Sequence, residues 1–401
     1  MEHYVYLDNN TTTQVASEVV EAMALYFTKE YGHPTSIHTL GLNAADALRR
    51  SKETIAKTIA ANGEEIVFTS GATEADDIAI RGTAHANRSR GNHIITTKVE
   101  HPSVLRVCER LEKEGFKVDY IGVDKEGFVR LDELASKLDE KTILVSVMLV
   151  NDEIGTIEPV EQVSRLVHKR NPRSLLHVDA AAGFMRIPID VHRMGIDLLS
   201  LSAHKVHGPK GVGALFVRSD VSVDSIGFGY TSTASLRPGT ENIPGIVGFA
   251  RAAQLSMQPQ DIARMTKLRD RLIGELESTI PEALLNGPRG TGRSPNNVNF
   301  CFPYIEGESV LLHLDILGIA VSTGSSCATH KLEPSHVLTA IGVAPENSHG
   351  NIRMSLSRYN TNEDVDYALQ TLPEVVENLR KMSPVGGRLQ SNSQQRNTER
   401  S

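Results

Sequence analysis

The segment Ile143-Leu144-Val145-Ser146-Val147-Met148-Leu149-Val150 is apolar at every position but one. An uninterrupted run of this kind fits a strand whose two faces are both covered by helices, because a strand with one wet face alternates polar and apolar residues. Shorter strand candidates stand at Ile66–Thr69, Ile94–Thr97, Val118–Ile121, Leu175–Asp179, Leu198–Ser202 and Val212–Val217. Helical windows at about 74–88, 102–114, 131–138 and 160–170 lie between many of them. Strands alternating with helices predict an α/β protein built on a mainly parallel sheet, with ligands at the carboxyl ends of its strands.

The flanking regions follow other rhythms. Val15, Val19, Met23 and Phe27 recur every four residues along one helix face, and Tyr31-Gly32-His33-Pro34 ends that pattern. A second amphipathic helix is predicted from about Asn43 to Ala60. Beyond about residue 255 a long helix, Asp261 to Ile280, gives way to short strands and helices. We therefore expect a large unit over 15–255 and a smaller α+β unit formed by 1–14 with 256–383. The tail, 384–401, has the Gly, Ser, Asn, Gln and Arg composition of a disordered segment.

Composition narrows the partners. With 42 Lys plus Arg against 49 Asp plus Glu, the net charge of −7 argues against nucleic acid, whose binding needs a basic face. No apolar run approaches the ~20 residues of a membrane helix. Met1-Glu2-His3-Tyr4 has neither the basic start nor the apolar stretch of a signal peptide. Cys108, Cys301 and Cys327 are too few and too scattered for a disulfide framework or a structural zinc site. A cytoplasmic setting without a bound metal is the expectation.

The strongest chemical signal is Leu198-Leu199-Ser200-Leu201-Ser202-Ala203-His204-Lys205, followed by Gly208-Pro209-Lys210-Gly211. A lysine delivered by a core strand is desolvated, which lowers its pKa and frees the amine for Schiff-base chemistry. A plain surface lysine past a strand end fits the same letters. In Leu175-Leu176-His177-Val178-Asp179 an apolar strand ends in a carboxylate, which needs a cationic partner if buried. Such a partner exists in a protonated pyridine nitrogen, although Asp179 can also cap a helix. Phe68-Thr69-Ser70-Gly71-Ala72-Thr73-Glu74 leads a strand through a small-residue turn into a helix, where backbone N–H groups suit a phosphate. His101 and Asn151 each follow a strand candidate, where an imidazole or amide reaches a ligand or serves the turn. Cys327 lies in Gly324-Ser325-Ser326-Cys327-Ala328-Thr329-His330-Lys331, small and polar with basic neighbours that favour a thiolate, whereas Cys108 and Cys301 lie in apolar segments.

Taken together these motifs resemble a family. Asp8-Asn9-Asn10-Thr11-Thr12-Thr13, Ser70-Gly71-Ala72-Thr73-Glu74, Val99-Glu100-His101-Pro102-Ser103-Val104 and Ser202-Ala203-His204-Lys205 occur in order. Arg237-Pro238-Gly239-Thr240-Glu241-Asn242, Ser322-Thr323-Gly324-Ser325-Ser326-Cys327, Leu332-Glu333-Pro334-Ser335 and Ile352-Arg353-Met354-Ser355-Leu356 follow. Over about residues 4 to 382 the chain resembles the cysteine desulfurases of the nitrogen-fixation and iron–sulfur-cluster type, in the class V aminotransferase group of fold-type I pyridoxal phosphate (PLP) enzymes.

The resemblance implies a large domain with a mainly parallel seven-stranded sheet, a smaller C-terminal domain and PLP as cofactor. It implies that Lys205 carries PLP and serves as base at the substrate α-carbon, that Asp179 pairs the pyridine nitrogen, and that His101 stacks on the ring and shuttles a proton. Ala72, Thr73, Ser202 and His204 would bind the phosphate, joined by Thr240 from a second subunit of a homodimer. Asn151 would lie against the cofactor and share the carboxylate of L-cysteine with Arg353. Cys327 would take the sulfur as a persulfide and pass it to an acceptor such as an iron–sulfur scaffold or a thiolation protein.

Several positions depart from the family pattern. Ala182 stands where Gln is usual, Asn151-Asp152 replaces paired asparagines, Ala203 replaces Gly, and His33 occupies the middle of a Gly-Asn-Pro turn. Gly229-Tyr230-Thr231-Ser232-Thr233 replaces a glycine-rich segment. These changes leave room for a PLP-dependent C–S or C–Se lyase, or a class V transaminase, on a related amino acid. A noncatalytic partner of a sulfur-transfer assembly is the remaining alternative.

Overall fold

The computed structural model describes residues 4–229, 236–256, 258–324 and 334–383. Cys327, the segment 230–235 and the tail beyond 383 lie outside the described residues, so the expectations placed on them are not addressed by the fold.

The strands, in chain order, are β1 (Val5–Tyr6), β2 (Ile66–Thr69), β3 (His93–Thr97), β4 (Lys117–Ile121), β5 (Thr142–Ser146), β6 (Leu175–Asp179), β7 (Leu198–Ser202), β8 (Gly213–Val217), β9 (Leu284–Leu285), β10 (Asn297–Cys301), β11 (Ile319–Ala320) and β12 (Asn351–Ser355). Seven of them form one sheet in the order β2-β8-β7-β6-β5-β3-β4. Only β8 runs against its neighbours. The central strands β5, β6 and β7 are buried at every residue, as expected of strands covered on both faces, and they carry a few buried polar residues such as His177 and Asp179.

One strand is shorter than the sequence suggests. The ladder of β5 stops at Ser146, although the apolar run continues to Val150. Residues 147–150 stay extended, with Val147 N–H donating to His177 O and Leu149 N–H to Asp179 O. They carry the chain off the sheet into the turn Asn151–Gly155, where Gly155 takes φ +80°. All four residues are buried, and their backbone bonds to β6 continue past the end of the β5 ladder.

A second core has its own sheet, β12-β10-β9, beside the parallel pair β1-β11. Leu268 and Leu272 of the helix Pro259–Thr279 pack there with Phe300, Ile352 and Leu372. Val5 and Leu7 belong to this cluster, so the first residues fold with the last third of the chain. No helix among the described residues is long and apolar enough to cross a membrane.

Candidate active site

The carboxyl ends of β6 and β7 deliver two of the expected residues. β6 ends at Asp179, which is buried and accepts a hydrogen bond from Ala181 N–H at 2.8 Å. Burial pushes its carboxyl up, and His101 and the Ala181 N–H draw it part of the way back. β7 ends at Ser202 and turns at once through Ala203–Lys205. The Lys205 Nζ donates to Asn10 O, so the N-terminal segment closes over the amine. Burial lowers its pKa to about 8, against the pull of Asp152 and Asp179 and with the help of Arg353 and Arg186.

Around this lysine the structure assembles residues far apart in sequence. His101 caps the helix Pro102–Lys113, its Nδ1 accepting from Ser103 N–H at 3.1 Å. That bond leaves the ring proton on Nε2. Ser103 Oγ donates to Asp76 Oδ2 at 2.6 Å, and Asp76 Oδ1 lies 3.5 Å from His177 Nε2. His177 in turn contacts Ser200 Oγ at 3.0 Å and Ser146 Oγ at 2.8 Å, and burial holds it neutral with a pKa of about 3. This buried polar chain, which supports His101 from behind, was not anticipated. Its one sequence signal is that His177 and Asp179 share a face of β6 by the two-residue period.

Ser202 Oγ is buried with no hydrogen-bond partner among the described residues. Gly213 is its register partner on β8, and a Cβ on Gly213 would stand 2.6 Å from the Gly71 carbonyl carbon. The missing side chain thus lets the turn before Ala72 and Thr73 approach the end of β7. The helical segment Ala72–Asp77 starts directly after Gly71. His204 Nδ1 lies 3.2 Å from Thr12 Oγ1, and burial, with Lys205, Lys210 and Arg186, lowers its pKa to about 4. Thr240 is exposed and lines a separate cavity of about 250 Å³ with His33, Phe228 and Pro238, away from the Lys205 residues of its own chain.

Arg353, on β12, is almost wholly buried. Its Nη2 donates to Thr11 Oγ1 at 2.7 Å and lies 3.4 Å from Asp8 Oδ1. Its Nη1 donates to the Asp152 backbone O at 3.2 Å and to Asp152 Oδ2 at 3.4 Å. Nε has no partner among the described residues.

Asn151 sits in the turn that follows residue 150. Its Nδ2 donates to Val99 O at 2.9 Å, and its Oδ1 accepts from Glu153 N–H at 3.0 Å and Ile154 N–H at 2.9 Å. The second Nδ2 hydrogen has only a contact to Met148 Sδ at 3.4 Å, a weak acceptor. The next residue, Asp152, lies against Arg353, its Oδ2 3.4 Å from Nη1. Burial raises its carboxyl, but His101, Arg353 and Lys205 outweigh that and hold it below the ordinary range.

Glu153 ties Ser335 to Asn351. Its Oε2 accepts from Ser335 Oγ at 2.6 Å and its Oε1 from Asn351 Nδ2 at 3.0 Å, and burial pushes its pKa up to about 7. Ser322 exchanges backbone hydrogen bonds with Arg353 at 3.0 and 2.7 Å, which pairs it with β12. Cys108 and Cys301 are buried free thiols whose pKa burial raises, which leaves both inert at neutral pH.

This arrangement agrees with what the chain resembles across its length. The family model for aminotransferase class-V matches residues 5–368. The cysteine desulfurase IscS of Dictyoglomus turgidum is 47% identical over 386 residues, covering 96% of this chain and 97% of that protein. That of Methanosarcina thermophila is 48% identical over 383 residues, covering 95% and 94%. A solved NifS-like protein superposes with a TM-score of 0.88 at 39% identity, covering 94% of this chain and 100% of that one. SspA, solved in complex with cysteine, superposes with a TM-score of 0.78 at 31% identity, covering 89% and 100%. The chain belongs to the class-V aminotransferase family, among the relatives of its cysteine desulfurases.

Proposed function

We propose that the protein is a PLP-dependent cysteine desulfurase, converting L-cysteine to L-alanine and leaving the sulfur as a persulfide on Cys327. The observation that carries this reading is the buried Lys205 amine, with a pKa of about 8, set among Asp179, Asp152 and Arg353.

The residues fit the cofactor. Lys205 offers a nucleophilic amine, Asp179 a buried carboxylate for a protonated pyridine nitrogen, and Ser202 an unpartnered hydroxyl for phosphate. His204 and the backbone N–H groups of Ala72 and Thr73 complete the phosphate set within the chain, and Thr240 joins from a second subunit. The exposure of Thr240 supports a homodimer that shares residues between sites. When bound, PLP supplies an electron sink for charge developing at the substrate α-carbon.

Arg353 holds the substrate carboxylate with Asn151, and Asp152 lies between them in the chain against the guanidinium. Lys205 takes the α-proton, and His101, with its ring proton on Nε2, carries a proton at the reacting end. The Cys327 thiolate forms a sulfur–sulfur bond as the substrate carbon–sulfur bond breaks. The electron pair left on carbon takes up a proton, and alanine departs. The persulfide then passes to an acceptor protein such as an iron–sulfur scaffold. The separate cores support a division into 15–255 and 1–14 with 256–383. Buried thiols without disulfide partners suit a cytoplasmic setting.

Product analysis tests the reading. Purified protein given L-cysteine and a reductant is expected to yield alanine and sulfide in equal amounts. Pyruvate with sulfide would instead identify a β-lyase.

A further inference from the structure

Arg353 already has an anion. Its guanidinium sits between two carboxylates, Asp8 Oδ1 at 3.4 Å from Nη2 and Asp152 Oδ2 at 3.4 Å from Nη1. The Asp152 backbone oxygen takes a further hydrogen bond from Nη1 at 3.2 Å, and Thr11 Oγ1 one from Nη2 at 2.7 Å. Of the three nitrogens of the Arg353 guanidinium, Nε alone has no partner among the described residues. A carboxylate approaching Arg353 therefore meets two fixed negative charges around one positive charge, and the ionised Asp152 occupies part of the fork it would use. Like charges at this separation in a poorly solvated site repel strongly enough to set affinity.

We propose that Asp152 is a specificity-determining residue whose carboxylate acts as a resident counter-anion on Arg353, which the α-carboxylate of an amino-acid substrate must displace. This rests on Arg353 being the carboxylate holder, as in the proposed function. The site then discriminates against carboxylate-bearing ligands relative to otherwise equal neutral ones. Asp152→Asn removes the charge and keeps the size and a side-chain acceptor for Nη1. The backbone oxygen of residue 152 still holds that nitrogen, so the guanidinium need not shift.

The test compares L-cysteine with L-cysteine methyl ester, which lacks the negative charge, on the cofactor-loaded wild type and Asp152→Asn. The ratio of the KM for L-cysteine to the KM for the ester is expected to fall about tenfold in the variant. A change confined to packing would move both substrates together and leave the ratio constant. In parallel, calorimetry measures L-alanine binding to both loaded proteins, a readout that needs no turnover. The alanine Kd is expected to fall about tenfold in Asp152→Asn. An unchanged ratio, or an alanine affinity that stays level or weakens, overturns the proposal. A wild type that turns over neither substrate would overturn the proposed function instead, while the alanine measurement still decides the role of Asp152.

Discussion

Lys205 derives its reactivity chiefly from burial, with Arg353 and Arg186 adding to the effect. The burial that accompanies the end of β7 lowers its pKa to about 8, although Asp152 and Asp179 resist the change. In cofactor-free protein the ammonium form therefore dominates below that pH and the free amine above it. The rate of PLP uptake, followed by absorbance, should rise close to tenfold per pH unit up to about 8 and then level off. Uptake independent of pH between 6 and 9 would separate the lysine from the step. Other residues were less legible. Asn151 and Asp152 are adjacent polar letters in one turn, and only its geometry decides what each one bonds. The support of His101 by Asp76 and His177 was hidden because nothing in their spacing of 101 residues announces a contact.

At the scale of elements, the central strands were readable because burial on both faces keeps them mostly apolar. Their ends were not, since residues 147–150 are as apolar as β5 itself while leaving its ladder. Glu158, just beyond the turn, is a consequence of that departure. It accepts from Val129 N–H at 3.0 Å through Oε2, while the buried Oε1 has no partner among the described residues. Burial raises its pKa from 4.5 to about 8. A folded-state pKa above the unfolded one means that the group favours folding most below pH ~4.5 and loses that contribution as pH rises toward about 8. Glu158→Gln keeps the acceptor and removes the titration. It should be near neutral at pH 5 and stabilising by about 2–4 kcal/mol at pH 8, read from denaturant midpoints. Equal effects at both pH values would contradict the burial argument.

On the scale of the whole molecule, the site is a junction of the two cores. Asp179 and Lys205 come from the seven-stranded sheet, Arg353 from the small one, and Asn10 and Thr11 from the N-terminal segment that packs with the latter. That convergence was visible in the sequence only through the family resemblance. Periodicity places strands and helices but gives no distance between positions such as 11, 152 and 353. The proposed reaction turns on sulfur transfer to Cys327. The most direct test is a single turnover of the PLP-loaded protein with L-cysteine in the absence of reductant, followed by mass spectrometry of its cysteine peptides. The expected result is the mass of one added sulfur atom on the Cys327 peptide, with one alanine formed per adduct and none in Cys327→Ala. Alanine formed without that adduct, or an adduct on the buried Cys108 or Cys301, would contradict it.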